Sequence, residues 1–408
     1  MFYRFALYGF LKNLRFFDPF ILLIFMETGL SFFQIGLLYT IRDVTTNIFE
    51  IPSGVYADAF GRKKSMIVSF VAYIFSFIIF YFSTHFSTHA IAMIFFALGE
   101  AFRSGTHKAL ILAYLNLNQM QHLKVEYYGK TRAASQLGSA VNAIIATGLV
   151  LYSGSYRYIF VASIIPYVFN LINLATYPNE LDEQRMFMKK GEILSQIKTT
   201  LKTFFVIFKD RYAVQAILNS AGFTAFFKSS KDYLQPILQV FAMSLPFFIG
   251  LHEIKRSAVV IGVVYFFIYL LSSYASRSAE RFRRWFGDIV KAINVTFLIG
   301  ACCLIIAGVS FWQNITIVSV CVFLCLYLLY NLRKPMNVAF ISNQISDKVM
   351  ASGLSAESQF TTILMAIFSP ILGMLADNFD VGTALFIFGG GMLLFSLLAK
   401  VENRQLPT

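Results

Sequence analysis

The sequence predicts an all-α membrane protein of twelve transmembrane helices in two six-helix halves, and three observations carry that prediction. The 408 residues are 57% hydrophobic and only 13% charged, with a mean hydropathy of +0.66, whereas water-soluble domains run near a quarter charged. Apolar runs recur along the chain between short polar breaks, each close to the roughly 20 residues that cross a hydrocarbon core of about 30 Å. Runs such as 66–82 and 297–309 lack the alternating polarity of barrel strands. A lipid-embedded backbone satisfies its own polar groups only as a helix or a closed barrel, so these segments are helices.

In chain order the runs place helices at 4–28, 32–58, 65–84, 88–115, 129–152, 156–177, 211–240, 257–278, 288–309, 314–343, 353–377 and 381–399. The first lacks the basic region, short apolar stretch and small-residue cleavage site of a signal peptide, so it stays as a membrane helix. Within it, Asp18 precedes Pro19, which predicts a break where freed backbone lines a cavity. The ninth and tenth hold all four cysteines, Cys302, Cys303, Cys321 and Cys325, read as packing side chains rather than as a disulfide or metal site.

The net charge of +13 does not form a basic face of the kind that binds nucleic acid, because Lys and Arg sit mostly in the breaks between apolar runs. With the N-terminus inside, the cytoplasmic loops and their edges carry eighteen cations, including Arg62, Lys63, Lys64, four arginines from Arg277 to Arg284, and Lys348. The outside loops carry three: Arg157, Lys255 and Arg256. The positive-inside rule therefore puts both termini in the cytoplasm, and the expected location is a bacterial cytoplasmic (inner) membrane.

The longest polar break, from Tyr177 to Asp210, divides the chain into a bundle at 1–177, a linker at 178–210 and a bundle at 211–408. Short similarities fall at corresponding places in the halves. Arg103 is followed six residues later by Ala109-Leu110-Ile111, and Arg333 by Ala339-Phe340-Ile341; Ser135-Gln136 matches Ser358-Gln359. In the linker, apolar residues from Ile193 to Phe208 recur at helical spacing with lysines on other faces, which predicts an amphipathic helix on the membrane surface. A plain connection between halves is the preferred role for it.

Between the second and third helices stands Gly54-Val55-Tyr56-Ala57-Asp58-Ala59-Phe60-Gly61-Arg62-Lys63-Lys64. Gly54 permits a close helix approach, Asp58 caps or pairs at a helix end, Gly61 supports a tight turn, and the cations anchor the cytoplasmic face. The run resembles the signature loop of the major facilitator superfamily: Gly, three residues, Asp, two residues, Gly, Arg, then Lys or Arg. It departs at Ala59, where the family has a cation. A degenerate copy, from Ala279 to Asp288, lies between helices eight and nine. The resemblance implies alternating access by rocking of two halves around a midplane cavity, with helices one, four, seven and ten lining it. It also implies that Gly54, Asp58, Gly61, Arg62 and Lys63 form a gating motif, with Asp58 latching against the eleventh helix.

Charges inside membrane helices are costly and face a cavity or a partner, so their distribution matters. Helices three, six, nine and twelve have none in their cores, while the four cavity helices of the resembled fold carry Lys12, Arg15, Asp18; Glu100, Arg103, His107, Lys108; Lys228, Lys231, Asp232; and Arg333, Lys334. Glu100, Arg103 and His107 share one helix face, within reach for Glu100 and Arg103 to pair. The excess of cations points to an anionic or zwitterionic organic substrate bearing carboxylate or phosphate, since Arg binds such groups through two hydrogen bonds at once. Arg103, His107, Lys108, Lys228, Lys231 and Arg333 are the candidate substrate-binding residues. Lys12, Lys108 and Lys334 also fit internal pairing or snorkelling to the interface.

For ion coupling the candidates are Asp18, Glu100, Asp43 and Asp232, acidic groups within apolar segments. The expected partners are a small-molecule substrate, protons or another coupling ion, and membrane lipid, with the chain a monomer and no nucleic acid bound. Two other readings compete with a symporter or exporter of organic anions. One is proton-coupled multidrug efflux, although the Gly-Pro-Gly-Gly cluster of such exporters is replaced here by Gln136-Leu137-Gly138-Ser139-Ala140. The other is a transporter-like receptor that no longer cycles. No nucleophile and base pair, metal-ligand cluster or phosphate-binding glycine loop appears, so the sequence predicts no enzyme, no metal and no cofactor.

Overall fold

The computed structural model describes residues 1–182, 211–344 and 350–402. The helix expected at 193–208, and Lys348, lie outside them. All its long elements are helices: α1 (Phe2–Leu11), α2 (Ile21–Glu27), α3 (Phe32–Phe60), α4 (Arg62–Phe82), α5 (Phe86–Arg103), α6 (Thr106–Leu117), α7 (Lys124–Ser153) and α8 (Tyr158–Ala175) come first. They are followed by α9 (Arg211–Ser230), α10 (Leu234–Ser244), α11 (Glu253–Trp285), α12 (Ile289–Trp312), α13 (Thr316–Gln344), α14 (Met350–Asn378) and α15 (Val381–Leu398).

Three of the expected helices are interrupted, the first of them where Asp18-Pro19 predicts a break. The first divides into α1 and α2 around Asp18-Pro19, the fourth into α5 and α6 at Ser104-Gly105, and the seventh into α9 and α10 through the 3-10 turn Lys231–Tyr233. The expected break at Asp18-Pro19 is thus present. The other two lie in polar stretches that a hydropathy reading runs over; in the fourth helix, Gly105 turns the chain with φ +71°. Eight described helices or helix segments are by length and composition able to cross a membrane, and the interrupted ones are not among them.

The surfaces follow from lipid as solvent. On α4, Val71, Phe75, Ile78 and Phe82 are exposed at helical spacing, as are Ile165, Phe169 and Ile172 on α8, and Ile363, Ile367, Ile371 and Met374 on α14. Such stripes are a liability in water and ordinary against acyl chains. Cys302, Cys321 and Cys325 also lie on exposed faces and only Cys303 is buried, so three of the four do not pack internally as the sequence suggests.

The chain forms two compact units whose limits differ from the sequence halves. One comprises Met1–Leu30, Ile41 through α8, and Pro246–Tyr269; the other comprises Ser31–Thr40, α9 and α10 to Leu245, and Leu270 onward. Each unit therefore includes a strap from the opposite half. In the second unit the start of α3 lies along α14. Asp377 accepts hydrogen bonds from the amides of Phe32 and Phe33, both at 2.8 Å, which satisfies two N–H groups that a helix start leaves open. Thr40 donates to the Ala366 carbonyl at 3.0 Å. In the first unit the start of α11 lies along α7, where Thr147 donates to the Ala258 carbonyl at 3.3 Å and a Cβ on Gly262 would overlap Thr147.

The approach at Gly36 is the less forgiving of the two because it is made to backbone: a Cβ there would stand 2.5 Å from the Ser369 carbonyl oxygen. Gly36→Val must push α3 off α14, and overpacking of this kind costs about 1–3 kcal/mol. The expected result is a lower thermal midpoint in detergent with the helical content unchanged by circular dichroism; an unchanged midpoint would show that α3 and α14 do not meet here.

Candidate functional site

The break between α1 and α2 frees backbone groups that lipid cannot satisfy, and side chains of α7 and α8 take them up. Asn142 donates to the Arg15 carbonyl at 3.0 Å and Tyr167 to the Lys12 carbonyl at 3.1 Å, while the Asn13 side chain reaches back to the Ser135 carbonyl. Ser163 accepts from the Phe16 amide at 3.2 Å. The broken segment is thereby held in one conformation, and it carries Arg15 toward α5.

There Glu100 sits between two guanidinium groups, Arg15 bonding its Oε1 and Arg103 its Oε2. Tyr167 accepts from Arg15 Nε at 2.6 Å, and Tyr73 accepts from Arg15 at 3.2 Å and from Arg103 at 3.1 Å. Arg15 also lies over the Tyr73 and Phe96 rings, 5.2 and 5.1 Å from their centroids. The cluster holds two cations and one carboxylate. His107 does not join the arginines by a hydrogen bond; it stacks on Tyr8 at 3.7 Å between centroids and meets the Tyr177 hydroxyl at 3.5 Å. Lys108 is exposed.

In the second unit Arg333 is 1% exposed. It donates to the Ile293 carbonyl, to Thr296 Oγ1 at 2.6 Å and to Asn219 Oδ1 at 2.7 Å, and it lies 4.2 Å from the centroid of Phe223. Its Nε has no partner, and no carboxylate pairs with it among the described residues. Beside it is a cavity of about 240 Å³ between α9, α13 and α14, lined by Lys228, Arg333, Lys334 and Glu357 together with Ser220, Thr224, Asn337 and Thr361. Three cations and one carboxylate therefore face one small polar space. Lys231 is absent from the lining; it pairs with Asp232, and its carbonyl accepts from Tyr327 at 3.3 Å.

The structure thus brings together Glu100 and Arg103 in one place and Lys228 and Arg333 in another. Asp43 pairs with the adjacent Arg42 at 2.8 Å, and Asp18 donates its amide to the Arg15 carbonyl at 3.0 Å within the break. Three charged residues of these sites, Arg15, Lys334 and Glu357, are not among the sequence candidates for substrate binding or ion coupling. Arg15 is visible in the sequence as a membrane charge, but its convergence on Glu100 depends on the break. Glu357 stands one position before Ser358-Gln359, on a helix outside the four expected to line the cavity.

The sequence model of the family described as Major Facilitator Superfamily matches residues 5–358. The chain belongs to the major facilitator superfamily. It is a multi-pass membrane transporter and not an enzyme. Among related sequences, an uncharacterized transporter of the superfamily, YxaM of Bacillus subtilis (strain 168), is 36% identical over 90 residues, which is 22% of this chain and 23% of that protein. The chain's match thus spans about a quarter of the length of that relative. Solved transporter structures match nearly end to end. A mutant of the nucleoside transporter NupG has a TM-score of 0.79 at 13% identity, covering 98% of each chain. A D-xylose-proton symporter has a TM-score of 0.71 at 16% identity, again covering 98% of each. A POT family transporter in complex with 5-aminolevulinic acid has a TM-score of 0.74 at 12% identity, covering 97% of this chain and 94% of that one.

The superfamily loop is built as a turn between α3 and α4. Gly61 adopts φ +108°, where a side chain is strained, and the next helix starts at once with Arg62. Lys63 donates to the Tyr177 carbonyl at 2.6 Å and to Asn179 at 3.0 Å, tying the loop to the end of α8, where a cation suits the helix dipole. The Asp58 side chain makes no hydrogen bond or ion pair among the described residues. The close approach expected at Gly54 is not made: Gly54 is exposed and a Cβ there would meet nothing within 4 Å. The close approach of this helix falls instead at Gly36, at its other end.

Proposed function

We infer that the chain carries a small organic anion or zwitterion, bearing carboxylate or phosphate, across the bacterial cytoplasmic membrane by proton-coupled alternating access, with both termini in the cytoplasm. One observation carries this reading: Lys228, Arg333 and Lys334 face a single cavity against one carboxylate, Glu357. Burying a cation without a paired carboxylate is costly, and Arg333 is kept in that condition by a carbonyl, a hydroxyl, an amide and an aromatic face. A bound anion relieves the cost. The halves 1–177 and 211–408, joined by 178–210, are the moving bodies in this reading, and the loop from Gly54 to Lys63 is their gate.

The structural relatives do not choose the cargo, since a nucleoside transporter, a POT family transporter and a D-xylose-proton symporter share the fold. Drug efflux of cations fits the site poorly, because an acidic rather than a cationic cavity attracts such compounds.

The test is uptake by proteoliposomes of labelled carboxylates and phosphorylated metabolites under an imposed pH gradient. Uptake is expected, with a protonophore abolishing accumulation. Lys228→Gln and Lys334→Gln should each raise KM several-fold, each removing one charge-assisted interaction worth about 1.5–3 kcal/mol at most. Accumulation that ignores the pH gradient would remove proton coupling; transport of cationic dyes in preference to anions would overturn the substrate class.

A further inference from the structure

Arg333 and Glu357 belong to one cavity but do not neutralise each other. Each is tethered to a different, adjacent residue of α9. Arg333 donates to Asn219 Oδ1 at 2.7 Å, while Glu357 Oε1 accepts from Ser220 Oγ at 3.0 Å. Asn219 is itself fixed, its amide donating to the Ala399 carbonyl at 2.7 Å. The tethers hold a guanidinium and a carboxylate on α13 and α14 at separate stations along α9, with Glu357 Oε2 making no hydrogen bond among the described residues. Lys228 and Lys334 line the same space, as do Thr224 and Thr361. A cavity that recognised only anions would gain nothing from Glu357, which repels them.

We propose that the cargo is zwitterionic: its carboxylate or phosphate is taken by Arg333, Lys228 and Lys334, and its ammonium by Glu357. The proposal rests on the anion reading above and narrows it. A second carboxylate in place of the ammonium meets Glu357 as a like charge, so the same group that attracts the zwitterion rejects the dianion. Ser220 is a positioning residue; its hydroxyl keeps Glu357 from swinging onto the cations and closing the cavity to ligand.

Two acids of equal length separate the ideas: 5-aminopentanoate, with one carboxylate and one ammonium, and glutarate, with two carboxylates. Binding of each to the purified full-length protein is titrated by thermal shift. The wild type should bind 5-aminopentanoate roughly tenfold or more tightly than glutarate, because an ammonium forms a charge-assisted hydrogen bond with Glu357 where a second carboxylate is repelled. Glu357→Gln should abolish or invert that preference, and Ser220→Ala, a milder change to the same carboxylate, should reduce it. Lys228→Gln should weaken both acids alike. Equal or tighter binding of glutarate by the wild type overturns the proposal and leaves the anion reading intact, as does a preference that survives both Glu357→Gln and Ser220→Ala. Binding of neither acid removes both.

Discussion

Glu100→Gln is expected to lower the thermal midpoint of the purified protein on the order of 10 °C, or to prevent its recovery in folded form, because stranding a charge by removing a buried partner costs about 3–5 kcal/mol. Glu100 stands between Arg15 and Arg103, and without it the two guanidinium groups remain beside each other without the carboxylate that bridges them. Arg15 sits on the broken segment between α1 and α2, and Arg103 ends α5, so the carboxylate ties two interruptions of the helical path into one structure. Charge counting gives an order that the simple loss of hydrogen bonds does not. Arg103→Gln leaves one cation and one anion and should cost least. Glu100→Gln with Arg103→Gln leaves one cation, the same net charge as the native cluster, and should recover much of the lost midpoint. Thermal unfolding of the three variants by intrinsic fluorescence decides it; a double variant no more stable than Glu100→Gln would show that the cluster is not held by charge balance.

Arg333→Met should separate stability from transport in the opposite way. The native side chain is a buried cation without a carboxylate partner among the described residues, so its removal relieves a desolvation penalty while leaving Asn219, Thr296 and the Ile293 carbonyl one hydrogen bond poorer. The two effects oppose each other, and the thermal midpoint should move by only a few degrees. Transport should fall roughly tenfold to hundredfold in kcat/KM, the value of one charge-assisted hydrogen bond of about 1.5–3 kcal/mol. Arg333→Lys should not restore it, since an ammonium cannot reach three acceptors with the planar fork of a guanidinium. Uptake assays on variants with matched expression measure this, and an Arg333→Met protein that unfolds as easily as Glu100→Gln would make Arg333 a structural cation.

Much of this architecture is legible in the amino-acid order because lipid is a severe solvent. Uninterrupted apolar stretches have to be helices, charges in membrane segments have to converge on something, and the spacing from Gly54 to Lys63 carries a turn that only a glycine at Gly61 makes without strain. Helical spacing also points to the Glu100 and Arg103 pair, whereas Lys228 and Arg333 stand in the sequence only as two of several cations on the four helices expected to line one cavity. Spacing fails where a shared face on one segment does not amount to convergence. His107 shares a face with Arg103 in an ideal helix, but Gly105 turns the chain between them and His107 ends up stacked on Tyr8. Lys231 and Asp232, neighbours in sequence, pair with each other rather than facing the cavity with Lys228.

The solvent, the helical class, the superfamily and the excess of positive charge in membrane segments can all be read from the unfolded chain, since each depends on composition or on residues a few positions apart. Which of those charges meet cannot, because it depends on where the helices break and how α9, α13 and α14 pack. Arg15 reaches Glu100 across 85 residues, and Glu357 joins Arg333 from a neighbouring helix. The straps at Gly36 and Gly262 likewise arise from packing, because a glycine records that another chain segment comes close and is silent on which one it is.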